Sequence, residues 1–428
     1  MINNIKSKLL FLILLVTSLT ACDNNNDIDN TLPEPEPEPY LVRTIAEQHF
    51  TKNELASLVS EYAAKQGINL PTILITGLMC DIDVAAIEYN TTGPDGNNVT
   101  ASGVVAIPSG TESYSNLLSI QHGTLDMEDA PSRQMFYYEM APVVKGHIVV
   151  MADYLGYGSS QTADRQHPYL HATLTGTACA DMIEAAREYL NGKDIKQLAD
   201  SVELIGYSQG GQATVATLLE LEKRGKAESI KNVYAGGGTY DLESVLQTFI
   251  SAIESGQPYK NSGYLPYLIR GMAYGEQLEL NENNIYAKEV IDNGLCSMFA
   301  TRPLSEWHAA LGSDLKKVIN PDFLAAPSYN GNKDVVSVIE ALKKNSLVNS
   351  PVKPQTTINF YHSPQDDVVP YSNAVDAHAA WPTSTLTDLT MNGHVNGGIE
   401  FVMRYMGLWE LFGPMLKSDS AQSAQIND

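Results

Sequence analysis

The chain has 428 residues, with 50 acidic against 27 basic side chains and a formal net charge of -23. Such a charge is repelled by phosphate backbones and anionic surfaces, which argues against a nucleic-acid partner. The length exceeds one ordinary domain and leaves ample apolar material for a large core with an insertion or a second unit.

Residues 1–22 read as an export signal. Lys6 and Lys8 form its positive end, and the apolar run 9–19 is too short to span a bilayer comfortably. The run ends in Leu19-Thr20-Ala21-Cys22, which resembles the lipobox of bacterial lipoproteins. That resemblance implies lipidation of Cys22, which becomes the first mature residue, and anchorage to a bacterial membrane, at the outer membrane or cell surface. Residues 23–43 follow as a disordered spacer. Asn and Asp dominate 23–31, and proline alternates with Glu34, Glu36 and Glu38 up to Pro39, a composition that favours extended polyproline-type chain. With Cys22 set aside, Cys80, Cys179 and Cys296 remain; export permits one disulfide among them, and the sequence does not choose the pair. No cysteine or histidine spacing fits a zinc site, so no metal is expected.

Residues 44–65 carry apolar positions near helical spacing, with Gly67 as a stop, and predict a helix. Strand and helix signals then alternate. Residues 84–89 and 99–107 are strand-like and flank Gly93-Pro94-Asp95-Gly96-Asn97, a turn that predicts an antiparallel hairpin. Apolar runs at 117–121, 147–152, 202–206, 232–235, 356–361 and 386–391, several without alternation, predict mostly parallel central strands. Helical segments fall between or after them at 132–144, 172–190, 212–224, 372–380 and 398–412. The alternation predicts an α/β fold, a mostly parallel central sheet with helices on both faces. Residues 241–354 interrupt it with helical periodicity (Val245, Phe249, Ile253; Val335, Val338, Leu342) and little strand signal. They predict a helical cap inserted into a core of residues 44–240 and 355–414, with 415–428 as a flexible tail.

The chemistry starts at Gly206-Tyr207-Ser208-Gln209-Gly210, which follows the apolar run Val202-Glu203-Leu204-Ile205 and opens the helix-like stretch from Gln212. In a nucleophile elbow the serine sits on a strained strand-to-helix turn, so the residues two before and two after it must be small. Both are glycine here. A serine hydroxyl needs a histidine base, and that base needs an acid to hold its tautomer. After the cap, the run 358–361 leads into His362-Ser363-Pro364-Gln365-Asp366-Asp367-Val368-Val369-Pro370, where Asp366 is the first candidate acid and Asp367 the second. His394 follows the last strand-like run in a glycine-rich loop, Asn392-Gly393-His394-Val395-Asn396-Gly397, and is the candidate base. An oxyanion needs two prearranged donors. The amide of Gln209 is one candidate; the other comes from Ile120-Gln121-His122-Gly123-Thr124, with Thr124 preferred and Gly123 next, and His122 a brace of that loop. Tyr207, and Asp153 and Tyr154 at the end of another central strand, are candidate substrate contacts.

Together these residues resemble the α/β-hydrolase superfamily and, within it, the secretory lipases of the lipase-A-like group. Gly-Tyr-Ser-Gln-Gly-Gly at 206–211, Asp-Tyr-Leu-Gly-Tyr-Gly at 153–158 and His-Pro-Tyr-Leu-His at 167–171 carry the closer likeness, which spans about residues 71–412. The resemblance implies cofactor-free hydrolysis of carboxylic esters, with a small-molecule or lipid ester as substrate. Alternatives are an acyl or feruloyl esterase acting on polysaccharide, a peptidase using the same triad, and a non-catalytic surface binding protein. The cap is expected to decide the substrate; the oligomeric state is not legible.

Overall fold

A computed structural model of the protein describes residues 38–65, 72–110, 114, 116–193, 195 and 201–414. The expected export signal with Cys22, most of the spacer and the 415–428 tail lie outside the described residues. The described residues from Pro39 onward form one compact unit.

Its centre is a sheet of nine strands among the described residues, in the order β1-β2-β3-β5-β4-β6-β7-β8-β9. The strands are β1 (Leu41–Phe50), β2 (Ile82–Thr92), β3 (Asn98–Pro108), β4 (Leu117–Gln121), β5 (Ile148–Ala152), β6 (Val202–Tyr207), β7 (Ile230–Gly236), β8 (Ile358–His362) and β9 (Thr385–Asp388). The first three strands are antiparallel and β3 runs antiparallel to β5; from β5 to β9 every pairing is parallel. Strands β4, β5 and β6 are buried along their whole length, which is why they read as apolar runs without alternation. Helices α3 (Ala172–Gly192) and α4 (Gln209–Lys223) cover one face. Helices α1 (Lys52–Lys65), α2 (Thr72–Leu78) and α10 (His394–Tyr405) contribute to the cover of the other.

Three expectations are corrected. Residues 44–50 are strand, not helix: β1 pairs with β2 from Leu41↔Tyr89 to Phe50↔Ile82. Eight consecutive β1 residues are exposed, so this edge strand carries no buried-face alternation to read. The helix begins at Lys52, behind a capping box in which Thr51 and Glu54 exchange hydrogen bonds (Thr51 N to Glu54 Oε2 at 2.8 Å, Glu54 N to Thr51 Oγ1 at 3.4 Å). The end of the expected spacer is also built into the fold, because the amides of Tyr40 and Leu41 donate to the Glu188 carboxylate at 3.1 and 2.7 Å. The stretch 132–144 is not one helix. A turn at Pro131–Gln134 ends at Met135, whose φ of 63° leaves helical space, and a 3-10 segment follows at Tyr138–Lys145 with Pro142 inside.

Between β7 and β8 the chain is helical: α5 (Leu242–Ser255), α6 (Tyr264–Gly275), α7 (Leu304–Leu311) and α8 (Lys333–Asn345), with shorter turns between, while α9 (Ser372–Ala380) lies beyond β8. Leu242, Phe249, Leu268, Phe299, Trp307, Val338 and Leu342 form an apolar core of their own, joined by Tyr169 and Leu170 from the segment ahead of α3. A polar knot around the half-buried Glu276 ties the two parts together. His171 accepts from Leu174 N on Nδ1, which leaves the proton on Nε2 to face Glu276 Oε1 at 3.1 Å; Lys344 and Asn345 of α8 donate to the same carboxylate at 2.6 and 2.8 Å. The hydrogen bond from His171 is the main cause that lowers Glu276 to about 2, against the opposing effect of burial.

Candidate active site

Strand β6 delivers Ser208 into α4 through a backbone conformation that L-residues seldom adopt, φ 61° and ψ -125°. The turn holds because Ser208 N donates to Gly236 O at 2.9 Å and because its flanks are glycine. A Cβ on Gly206 would sit 2.3 Å from Gly210 O, and one on Gly210 2.0 Å from Gln121 O, so neither position admits a side chain without moving backbone.

The hydroxyl of Ser208 lies 2.8 Å from His394 Nε2, and His394 Nδ1 lies 2.7 Å from Asp366 Oδ2. The carboxylate on the Nδ1 side fixes the proton there and leaves Nε2 free to accept from the serine. Asp366 is fully buried and held from two directions. Val368 N and Val369 N donate to Oδ1 at 2.9 and 2.8 Å, while the ring of His362, anchored by Nε2 on Val369 O, places that nitrogen 3.4 Å from Oδ2. Burial alone would raise Asp366, but hydrogen bonds from His362 and His394 outweigh it and hold the carboxyl well below its usual range. Asp367 does something else: its Oδ1 accepts from His394 N at 2.9 Å and so caps α10 at the residue that carries the base. Tyr207 clamps the same turn, its hydroxyl donating to His394 O at 3.0 Å.

On the opposite side of Ser208, the amides of Gln209 and Thr124 find no hydrogen-bond partner among the described residues. Gly123 differs. Its amide is already shared between the two carboxyl oxygens of Glu139, at 3.3 Å each, which leaves Thr124 as the loop's open donor. His122 is buried, held to Gly123 O at 2.7 Å and stacked on Tyr154, and burial lowers it to about 4, so it is a neutral brace. Asp153 and Tyr154 do not reach the cavity beside Ser208. The Asp153 carboxylate is consumed by Ser102 Oγ at 2.6 Å, Ser132 N at 2.8 Å and the Ser132 hydroxyl; Tyr154 donates to His122 O at 2.9 Å. The two are wholly buried supports of the oxyanion loop, not substrate contacts. Tyr207 does line the cavity.

That cavity, about 410 Å³, opens beside Ser208 and His394 and is walled by the first and last helices of the fold together with residues from 120–142 and 205–208. Val59 and Ala63 come from α1, Ile75 from α2, and Ile399 and Met403 from α10. The helical insertion gives it one residue, Tyr264. Most of the insertion's large apolar side chains are spent on its own core, and the first and last helices of the fold supply more of the space that reaches the nucleophile than the insertion does.

Sequence reasoning missed three supports of this site. Besides His362 and Glu139, it missed His167, whose Nδ1 donates to Leu155 O at 2.6 Å so that Nε2 accepts from the Gln209 side chain at 2.8 Å. His362 ends β8 four residues before Asp366, whereas Glu139 and His167 lie 16 and 42 residues from Gly123 and Gln209, and no spacing rule announces any of the three. Cys80, Cys179 and Cys296 are free thiols, and no metal-binding cluster occurs among the described residues.

The strand order, the elbow and the crossover helices define an α/β-hydrolase fold. The sequence matches no protein-family model and no curated protein. Among solved structures it is similar to a protein from Legionella pneumophila assigned to the hydrolases (TM-score 0.72, 25% identity, 87% of this chain and 98% of that one). It shares its fold with the rice cell wall degrading esterase LipA from Xanthomonas oryzae (TM-score 0.64, 22% identity, 86% and 97%). The same holds for Candida antarctica lipase A (TM-score 0.58, 15% identity, 82% and 77%).

Proposed function

We propose that the chain is an exported, membrane-anchored serine hydrolase of carboxylic esters. The observation that carries this reading is the continuous hydrogen-bonded path Ser208–His394–Asp366 at the mouth of a largely apolar cavity. Ser208 attacks the ester carbonyl while His394 takes its proton, and the amides of Gln209 and Thr124 stabilise the oxyanion. His394 then gives the proton to the leaving alcohol. Water, activated by the same imidazole, releases the acid and restores the serine. Asp366 stays ionised throughout and orients the ring. Hydrolysis of nitrophenyl acyl esters and labelling by a fluorophosphonate test the reading; a folded protein inert to both would sink it.

The acyl group belongs in the cavity between the terminal helices, whose apolar wall favours hydrocarbon over sugar or peptide. Narrowing that wall with Ala63→Phe should raise KM for long acyl esters by about tenfold while leaving acetyl esters within about twofold, since a buried methylene contributes close to a kcal/mol. Equal losses on both would refute the placement.

Anchorage rests on Leu19-Thr20-Ala21-Cys22 and the Pro-Glu segment behind it. In cells fed a labelled fatty acid, the chain should carry label and Cys22→Ala should not. Label that persists in the variant would remove the anchor from the proposal.

A further inference from the structure

Among the groups that the triad does not use, the carboxyl of Glu139 stands out, because it lines the same cavity as the nucleophile. It comes from the 3-10 segment Tyr138–Lys145 and accepts from Gly123 N on both oxygens at 3.3 Å and from the Tyr138 hydroxyl at 3.3 Å. A Cβ placed on Gly123 would lie 3.5 Å from Glu139 Oε1 and 3.9 Å from Ser208 Cβ. The carboxyl and the nucleophile therefore flank a single glycine of the oxyanion loop.

We infer that Glu139 is a positioning residue for ester hydrolysis, which holds the oxyanion loop correctly only while protonated and so sets an alkaline limit on turnover. This rests on the ester-hydrolase reading above. The titratable groups around it are Tyr137 and Tyr138 on its own segment, Tyr62 of α1, stacked on Tyr138 at 3.5 Å, Tyr154 after β5, and His394 across the cavity. Among the described residues no lysine or arginine lines the cavity to compensate a negative charge. Burial raises the Glu139 carboxyl to about 8, against the smaller pull of the hydrogen bonds from Gly123 and Tyr138.

Below that value the group is a carboxylic acid. Its carbonyl oxygen takes the Gly123 amide, fixes the turn and leaves Thr124 N aimed at the reacting carbonyl. As pH rises, the proton leaves for bulk water, and the carboxylate puts a like charge beside the developing oxyanion. It also grips the Gly123 amide more tightly and tilts the loop. In a site of low dielectric, like charges a few ångströms apart slow the reaction on the order of tenfold or more.

The test is the pH profile of kcat and kcat/KM for a short-chain nitrophenyl ester, measured on the wild type and on Glu139→Gln. Wild-type kcat should fall about five- to tenfold between about pH 7 and about pH 9, with a midpoint near 8. In Glu139→Gln the ratio of activity at the higher to that at the lower pH should rise about five- to tenfold, whatever the absolute rate, because an amide cannot ionise. An alkaline limb that is the same in both proteins would overturn the proposal, and fluorophosphonate labelling of Ser208 would then leave the hydrolase reading standing. If Glu139→Gln does not fold, difference infrared spectroscopy of the wild type decides. A protonated-carboxyl band that disappears from about pH 7 to about pH 9 supports the inference, and its absence at pH 7 overturns it.

Discussion

Ser208→Ala is expected to lower kcat for short acyl esters by about 10⁶-fold, because the triad acts as a unit and what remains is binding plus the oxyanion donors. The fold should be untouched. The serine hydroxyl makes one side-chain hydrogen bond, to His394, while the elbow is held by the amide of Ser208 on Gly236 O and by the glycines around it. Alanine carries the same Cβ into the same strained backbone, so the thermal midpoint should move by no more than a few degrees. A variant that melts normally but keeps more than a hundredth of the wild-type rate would show that the nucleophile lies elsewhere.

Asp366→Asn and Asp367→Asn, neighbours in sequence, should differ by about a thousandfold. Asparagine at 366 cannot accept from protonated Nδ1 as a carboxylate does, so the imidazole turns to the wrong tautomer and kcat should drop about 10⁴-fold. It also leaves His362 facing an amide in place of the charge that now sits 3.4 Å from Nε2. Asparagine at 367 remains a good cap for the amide of His394, and turnover should stay within about tenfold of wild type. Parallel measurements of kcat on the two variants decide between the adjacent acids, and the reverse order of effects would reassign the triad.

These two acids also mark where reading the chain stops. Their position after β8 follows from strand pattern and chain order, but which carboxylate faces Nδ1 depends on turn geometry. The amides of Val368 and Val369 fold back on Asp366, and Asp367 is left at the helix start. The edge strand β1 was illegible for another reason. A strand with both faces exposed has no apolar alternation, and the helical periodicity of 52–65 ran backward over it. Asp153 and Tyr154 misled because a polar pair at the end of a central strand looks the same whether it faces substrate or braces a loop. Only their partners, Ser102, Ser132 and the carbonyl of His122, separate the two cases.

The alternation that makes a parallel sheet, the glycine-flanked serine, and the serine–acid–histidine order are all legible along the chain. All three depend on local sterics or on the periodicity of burial, which a linear chain displays. What surrounds the nucleophile is fixed by packing. Val59, Ala63, Ile75, Ile399 and Met403 come together on one face of the sheet to wall the cavity, the central insertion closes over its own core, and Glu139 arrives beside Gly123 from a turn sixteen residues away. Contacts between distant segments are set by how the layers pack, and packing leaves no period in the chain.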